Sequence, residues 1–304
     1  EAARARRIGT IGGEWMKVDD RWRKLGWRHP LWDYVRFFAG LKKNEKYHRE
    51  WLGKLKEGIF EVRSADSPLK TKGRTTKPQP SPEPRQSTNL TVLPEDMQLF
   101  LQYIEERQTY YEAAASMLRT KDEALDYCEK LKLVVTMTTT KIEQWQNSPN
   151  AMVAAVTNIA QLVCQAKSID FVPKPHRRGV WLSENDLHVS ARNLDGAIPS
   201  LFEPKVLWEI KEYWGGGEGK SGGSKMSDAV YECNLVGREL REYEERTKRQ
   251  RIIHAVFLDG KSQWGSRQSD LKRFIDLFHQ GIIDHLFIGK EVESEWQAIL
   301  SSLV

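Results

Sequence analysis

Two acids and a lysine, spaced as strand residues, are the side chains in this sequence best suited to chemistry. In Trp208-Glu209-Ile210-Lys211-Glu212, a strand would put Glu209 and Lys211 on one face and turn Ile210 to the other, toward the core. Upstream, Asn193-Leu194-Asp195-Gly196 adds a carboxylate in a second strand-like segment, and Pro199 and Pro204 mark the turn between them. If the segments pair, Asp195 and Glu209 converge on one divalent cation. Two hard oxygen ligands, completed by water and a substrate phosphate, are how Mg²⁺ is held. Such a cation polarises a phosphodiester and acidifies bound water, while Lys211 orients or helps deprotonate that water and offsets developing charge. The chemistry is phosphodiester hydrolysis. The bland account, an exposed ion pair on a solvated strand face, is worth little energetically. It fits poorly with the large apolar neighbours that make this segment read as a central strand.

A competing pattern follows in the same stretch. Gly219-Lys220-Ser221 is the tail of a phosphate-cradling P-loop, and the strand ending at Asp259 could supply that enzyme's magnesium acid. The pattern, however, requires a glycine where Trp214 stands, and Gly222-Gly223 follow where a helix should begin. A nucleotide-phosphate cradle is therefore the last-ranked reading. Otherwise the glycine-rich loop suits close approach to a phosphate backbone, with Lys220 and Lys225 as DNA contacts, and a solvated surface loop is an equal alternative. Asp259 to Arg267 reads as a loop in which Gln263 and Arg267 are types that read base edges, though a polar turn accounts for them nearly as well. Tyr231, Arg238 and Arg241 could touch a DNA backbone from the following helix, but an ordinary charged helix face is the preferred account there.

These side chains need a frame. A helix is expected over AMVAAVTNIAQLVCQAK, a turn-rich PKPHRRG after it, and short strands near 180–182, 187–191 and 194–198. Then come the strand KVLWEIKEYW, a helix from Met226, the strand RIIHAVFLD, a helix SDLKRFIDLFHQG, the strand IIDHLFIG and a closing helix EVESEWQAILSSL. Strands alternating with helices imply an α/β core with some parallel pairing. Earlier, residues 14–60 read as two or three short helices rich in Trp and basic residues. Trp15, Trp22, Trp27, Trp32 and Trp51 could form a stacking surface for nucleic acid, but the core of a small module is the better reading. Residues 64–89, rich in Pro, Ser, Thr and Lys, read as a flexible basic linker. Pro94 with Glu95 and Asp96 then opens a helical pair. The expected organisation is a helical module at 1–63, linker at 64–89, helical region at 90–150 and core at 151–304.

Composition limits the function classes. The chain has 304 residues, 39% hydrophobic and 29% charged, with a net charge of +5 and a sequence pI near 8.9. That balance is ordinary for a globular protein and mildly favours a polyanionic partner. No apolar run is long enough to span a membrane, and the basic N-terminus lacks the apolar region of a secretory signal. The three cysteines are scattered and the seven histidines show no zincin pair, so neither a disulfide framework nor a zinc site is expected, and a reducing cytoplasm fits.

Asp195, then Glu209-x-Lys211 on a strand followed by helix, strand and helix, resembles the PD-(D/E)xK nuclease superfamily, in particular its type II restriction endonucleases. The resemblance covers roughly Val153 to Val304; Leu194 stands where the motif has proline. It implies a restriction-endonuclease-like mixed central sheet flanked by helices, preceded here by an N-terminal helical region. It also implies Mg²⁺ bound by Asp195, Glu209 and the carbonyl of Ile210, with Asp195, Glu209 and Lys211 catalytic. Glu143 is a guess for a further acid. The implied partners are double-stranded DNA, a second copy of the chain in a homodimer, and a cognate methyltransferase acting on the same site. A repair or recombination nuclease of the same fold is the close rival, and a non-catalytic DNA-binding protein is the reading from another class.

Overall fold

The computed structural model describes residues 20–40, 59–63, 87–91, 93–139, 147–214 and 224–304. In chain order the elements are α1 (Asp20–Leu25), α2 (Leu31–Gly40), β1 (Ile59–Arg63), β2 (Ser87–Thr91), α3 (Pro94–Met117), α4 (Lys121–Lys130), α5 (Ala151–Ala166), β3 (Val172–Ser183), β4 (Asp186–Ile198), β5 (Val206–Glu212), α6 (Ser224–Thr247), β6 (Ile253–Asp259), α7 (Lys261–Ser266), α8 (Gln268–His279), β7 (His285–Ile288), α9 (Glu291–Ser294) and α10 (Trp296–Leu303). Contacts divide the chain into two compact units, one of Trp27–Arg107 and one of Glu1–Gly26 with Gln108–Val304. The larger unit thus takes in residues 108–150, which the sequence reading sets apart from the core.

In the smaller unit α2 buries Leu31, Trp32 and Val35, and the Trp32 ring meets Tyr103 edge-on at 5.2 Å. β1 and β2 pair antiparallel, with Ile59 opposite Thr91. Both strands correct the sequence reading, which gave helix through Phe60 and linker through Asn89. Phe60 and Val62 alternate with Glu61 and Arg63 in a two-residue period, and the partner strand β2 lets that short pattern prevail over the helical spacing before it. Residues 41–58, with Trp51, and 64–86 lie outside the described residues, as does Trp15, while α1 and α2 fall within the helical stretch expected at 14–60. Trp22, in the larger unit, and Trp32 are fully buried, so both act as core rather than as stacking platforms.

The larger unit is α/β. Its sheet has five strands in the order β3-β4-β5-β6-β7. β3, β4 and β5 run antiparallel in turn, while β5, β6 and β7 are parallel. One face carries α5 and α10, whose Met152, Val156, Ile159, Val163, Trp296 and Leu300 pack on Val206, Trp208, Ala255 and Phe257 of the sheet. The other face carries α6, with Val236, Leu240 and Tyr243 against Trp181, Leu194 and Leu207. With both faces covered, β5 and β6 read as near-continuous apolar runs, as parallel strands do. α5 has the inward spacing of a core helix, and its first N–H groups, which have no partner within the helix, find the carboxylate of Glu212, which accepts from Met152 N at 2.9 Å and Val153 N at 3.2 Å.

Two expectations are corrected here. PKPHRRG is not a turn but the first half of β3. Pro173 and Pro175 are tolerated because β3 is an edge strand, where a missing N–H can face solvent. Residues 261–266 form the short helix α7 rather than a loop. Gly260 makes the entry to it, at φ +114 and so close to the backbone of Tyr213 that a Cβ would lie 2.1 Å from that residue's carbonyl oxygen.

Candidate functional site

The site forms where β4 leaves β5. The two strands pair at Ile198 opposite Val206, Ala197 opposite Leu207 and Gly196 opposite Trp208, and the ladder ends there. Continued by one residue it would set Asp195 opposite Glu209. Instead, the strands diverge, and the side chain of Asp195 bridges the gap by accepting the N–H of Ile210 at 2.8 Å. Gly196 makes this approach feasible. Its missing Cβ leaves room for the Trp208 indole, which would lie 1.9 Å from an added methyl.

Strand alternation places the rest. Val206, Trp208 and Ile210 pack toward α5, and Leu207 packs toward α6, so Glu209 and Lys211 also look toward α6. Glu209 is only 2% exposed. Lys211 Nζ lies 2.6 Å from Glu209 Oε2 and 2.9 Å from Oε2 of Glu232, on α6. The other Glu232 oxygen lies 2.9 Å from Arg192 Nη2, on β4. Glu209 Oε1 is buried with no hydrogen-bond partner. Burial pushes the Asp195 and Glu209 carboxyls above the usual carboxylate range, against the pull of the Lys211 charge. Burial opposes the charge on Lys211 as well, but Glu209, Cys233 and Asp195 outweigh it and hold the ammonium well above its ordinary value.

The donor set suits a hard cation. Asp195, Glu209 and the Ile210 carbonyl are all oxygen donors, and the orphaned Glu209 Oε1 is a buried acceptor that a cation would satisfy. Among the described residues there is no group of three or more His, Cys, Asp or Glu side chains that could hold a metal. A sparse protein set of this kind is compatible with Mg²⁺, which keeps several waters, and would not suffice for Zn²⁺.

Among the other expected site residues, Lys225 is exposed in the first turn of α6, its Nζ 5.1 Å from the Tyr213 ring centroid, and its charge acts with those of Lys211 and Glu232 at the fork. Lys220, like Glu143 and the rest of the Gly-Lys-Ser run, lies outside the described residues. Gln263 is 1% exposed within α7, which turns it into the core. Arg267 is bound to Asp270 at 2.6 Å and to Ser227 at 2.8 Å, which makes it a brace between α6 and α8. Arg241 is buried on Asp284 and the Ile252 carbonyl, not on a DNA-facing surface, while Tyr231 remains exposed. Asp259 is committed to Arg119, with Nε at 2.6 Å from Oδ2 and the backbone N–H at 3.0 Å from Oδ1. With the Gly260 N–H also on Oδ1 at 2.9 Å, the carboxylate serves a buried ion pair. Sequence reasoning missed Glu232 and Arg192. Glu232 adjoins the buried Cys233 on α6, but that spacing alone does not tell which face of the sheet the helix covers.

Residues 119–303 match a family described as Domain of unknown function (DUF7687), and the chain belongs to that family. No curated protein and no solved structure matches it significantly.

Proposed function

We propose that this chain is a Mg²⁺-dependent DNA endonuclease with a restriction-endonuclease-like core of the PD-(D/E)xK type, working as a homodimer, with the restriction role as the first assignment. The observation that carries the reading is the fork. A carboxylate from β4 is tied to the strand that presents Glu209 and Lys211, and Glu209 keeps one buried oxygen without a partner. The element order supports it, since a helix, an antiparallel hairpin leading into the Glu-x-Lys strand, then helix, strand and helix is what the resemblance expects.

Asp195, Glu209 and the Ile210 carbonyl would hold Mg²⁺, which when bound polarises the scissile phosphate and acidifies a coordinated water. The chain's own residues do the rest. Asp195 fixes the geometry of β5 through the Ile210 N–H. Glu209 and Glu232 hold the Lys211 ammonium at the fork, where it can donate to the attacking water and balance charge on the phosphate. Leu207, Cys233 and Val236 are buried on the same side of the sheet, and apolar burial of this kind lowers the local dielectric, which strengthens each of these interactions.

The test is incubation of the full chain with long duplex DNA and Mg²⁺, beside Glu209→Ala, Lys211→Ala and an EDTA control, without ATP. Discrete fragments from the unaltered protein alone support the restriction assignment, and a smear supports a repair nuclease on the same core. One observation favours a second reading, a non-catalytic DNA-binding protein: Lys211 is held by two carboxylates, as in a purely structural ion network. Intact but bound DNA would favour that reading.

A further inference from the structure

The backbone at Asp195 is released on both sides. Toward β5 the pairing stops at Gly196. Toward β3 the register runs from Pro173 opposite Gly196 to Arg177 opposite Leu194, so residues 174–176 of β3 face Asp195 alone. β3 therefore bulges opposite the candidate metal ligand, and such bulges re-aim side chains next to sites. His176, at the end of the bulge, is in the left-handed region at φ +45, where a non-glycine residue is held only by its surroundings. It acts electrostatically on the Asp195 carboxylate.

The bulge and the facing arm of β4 carry a row of cations. His176 and Arg178 are exposed. Arg178 pairs with Asn193 across the hairpin and acts on Glu239 of α6, so its charge lies on the α6 side, as the site does. Arg192, next along β4, reaches Glu232 of α6 and is 47% exposed. An anion approaching Asp195, Glu209 and Glu232 meets three carboxylates, and Lys211 is already shared between two of them. The guanidiniums of Arg178 and Arg192 are exposed beside these carboxylates, so they offset that repulsion, and a planar guanidinium matches a phosphate with two parallel hydrogen bonds.

We propose that the β3 bulge and the adjoining arm of β4 form the strip along which the backbone of duplex DNA lies, with His176, Arg178 and Arg192 on successive phosphates and Arg192 exchanging Glu232 for a phosphate. The choice of DNA as the polyanion rests on the nuclease reading of the neighbouring site; the strip itself rests on the bulge and its charges. Arg192 is thereby also a reporter, since its departure leaves Glu232 to Lys211 alone.

The experiment is binding of a fluorescent DNA duplex to the full chain in EDTA, where no cleavage intervenes, at several salt concentrations. Each phosphate contact removed should lower the steepness of the log affinity against log salt plot by about 1. Arg178→Gln alone should lower it by about 1, and Arg178→Gln/Arg192→Gln by about 2, with affinity about tenfold weaker or more at moderate salt. Lys290→Gln, an exposed cation beyond β7 at the far edge of the sheet, should leave both unchanged. Folded Arg178→Gln and double variants with unaltered affinity and slope overturn the proposal. So does tighter binding of an RNA duplex of the same sequence, as regards DNA. Loss of cleavage in Mg²⁺ by the unaltered protein would instead sink the nuclease reading while leaving this binding result intact.

Discussion

Lys211 separates acids that would otherwise be buried against one another. Its Nζ touches Glu209 and Glu232, and Glu209 is nearly inaccessible. Breaking a buried pair by removing one partner leaves an uncompensated charge, with a typical cost of about 3–5 kcal/mol, whereas replacing both by neutral groups is often close to neutral. Lys211→Met should accordingly lower the urea midpoint markedly, and Glu209→Gln/Lys211→Met should recover most of the loss. A Lys211→Met variant as stable as the parent would mean that the pair is already screened by water. Strand parity made Glu209 and Lys211 legible in the sequence as same-face neighbours. Asp195 was legible only through the guess that its segment pairs with theirs. Glu232 and Arg192 were not legible, because what brings them in is the packing of α6 across the sheet, and no local spacing encodes which helix covers which face.

At the scale of elements, the fork depends on Gly196 and the helix opposite it on Glu212. A methyl at 196 would overlap the Trp208 indole, and overpacking of this kind typically costs about 1–3 kcal/mol. Gly196→Ala should therefore lower the melting temperature by several degrees and loosen the Asp195 bridge to Ile210, and an unchanged melting curve would show that the indole can move aside. Glu212 is half-buried beneath the start of α5, and its carboxyl is pushed up to about 7 by desolvation, against the N–H groups of Met152 and Val153 and the Trp214 indole that favour its charge. Raised above its unfolded value near 4.5, it binds a proton in the fold that the unfolded chain has released. Its contribution to stability is therefore full below about pH 4.5 and is lost as pH rises through about 7. Glu212→Gln should lose less stability than the parent between those two pH values in paired thermal melts. A parallel loss in both proteins would place the pH dependence on other acids, among them Glu239 and Glu244, also pushed up to about 7, and Glu291, pushed up to about 8. The α5, β5, α6 and β6 elements stood out in the sequence because each carries a full period of apolar residues. β3 was read only at its end, near 180–182, because the prolines of its first part signal a turn unless the strand is known to be an edge, and α7 was not, because six residues containing Gly265 have no period to read.

For the whole molecule, the family match and the compact units coincide in part. Residues 119–303 fall inside the larger unit, which carries the fork, while Trp27–Arg107 falls wholly outside the match. Under the endonuclease reading the chemistry belongs to the matched part, and the described residues contain one fork per chain. A duplex has two strands of opposite polarity, so a break through both at one position requires either two forks related by a two-fold axis or two successive visits by one. A symmetric pair supplies the first with a single self-complementary contact, the commonest way for identical chains to assemble. Light scattering after size exclusion should then give twice the chain mass for the protein on duplex DNA. Supercoiled plasmid should pass to the linear form with little nicked circle in between, at a rate that rises more steeply than linearly with protein concentration. A single-chain mass both free and on DNA, with nicked circles accumulating first, would instead mean that each fork acts alone and that the chain is a strand-nicking enzyme.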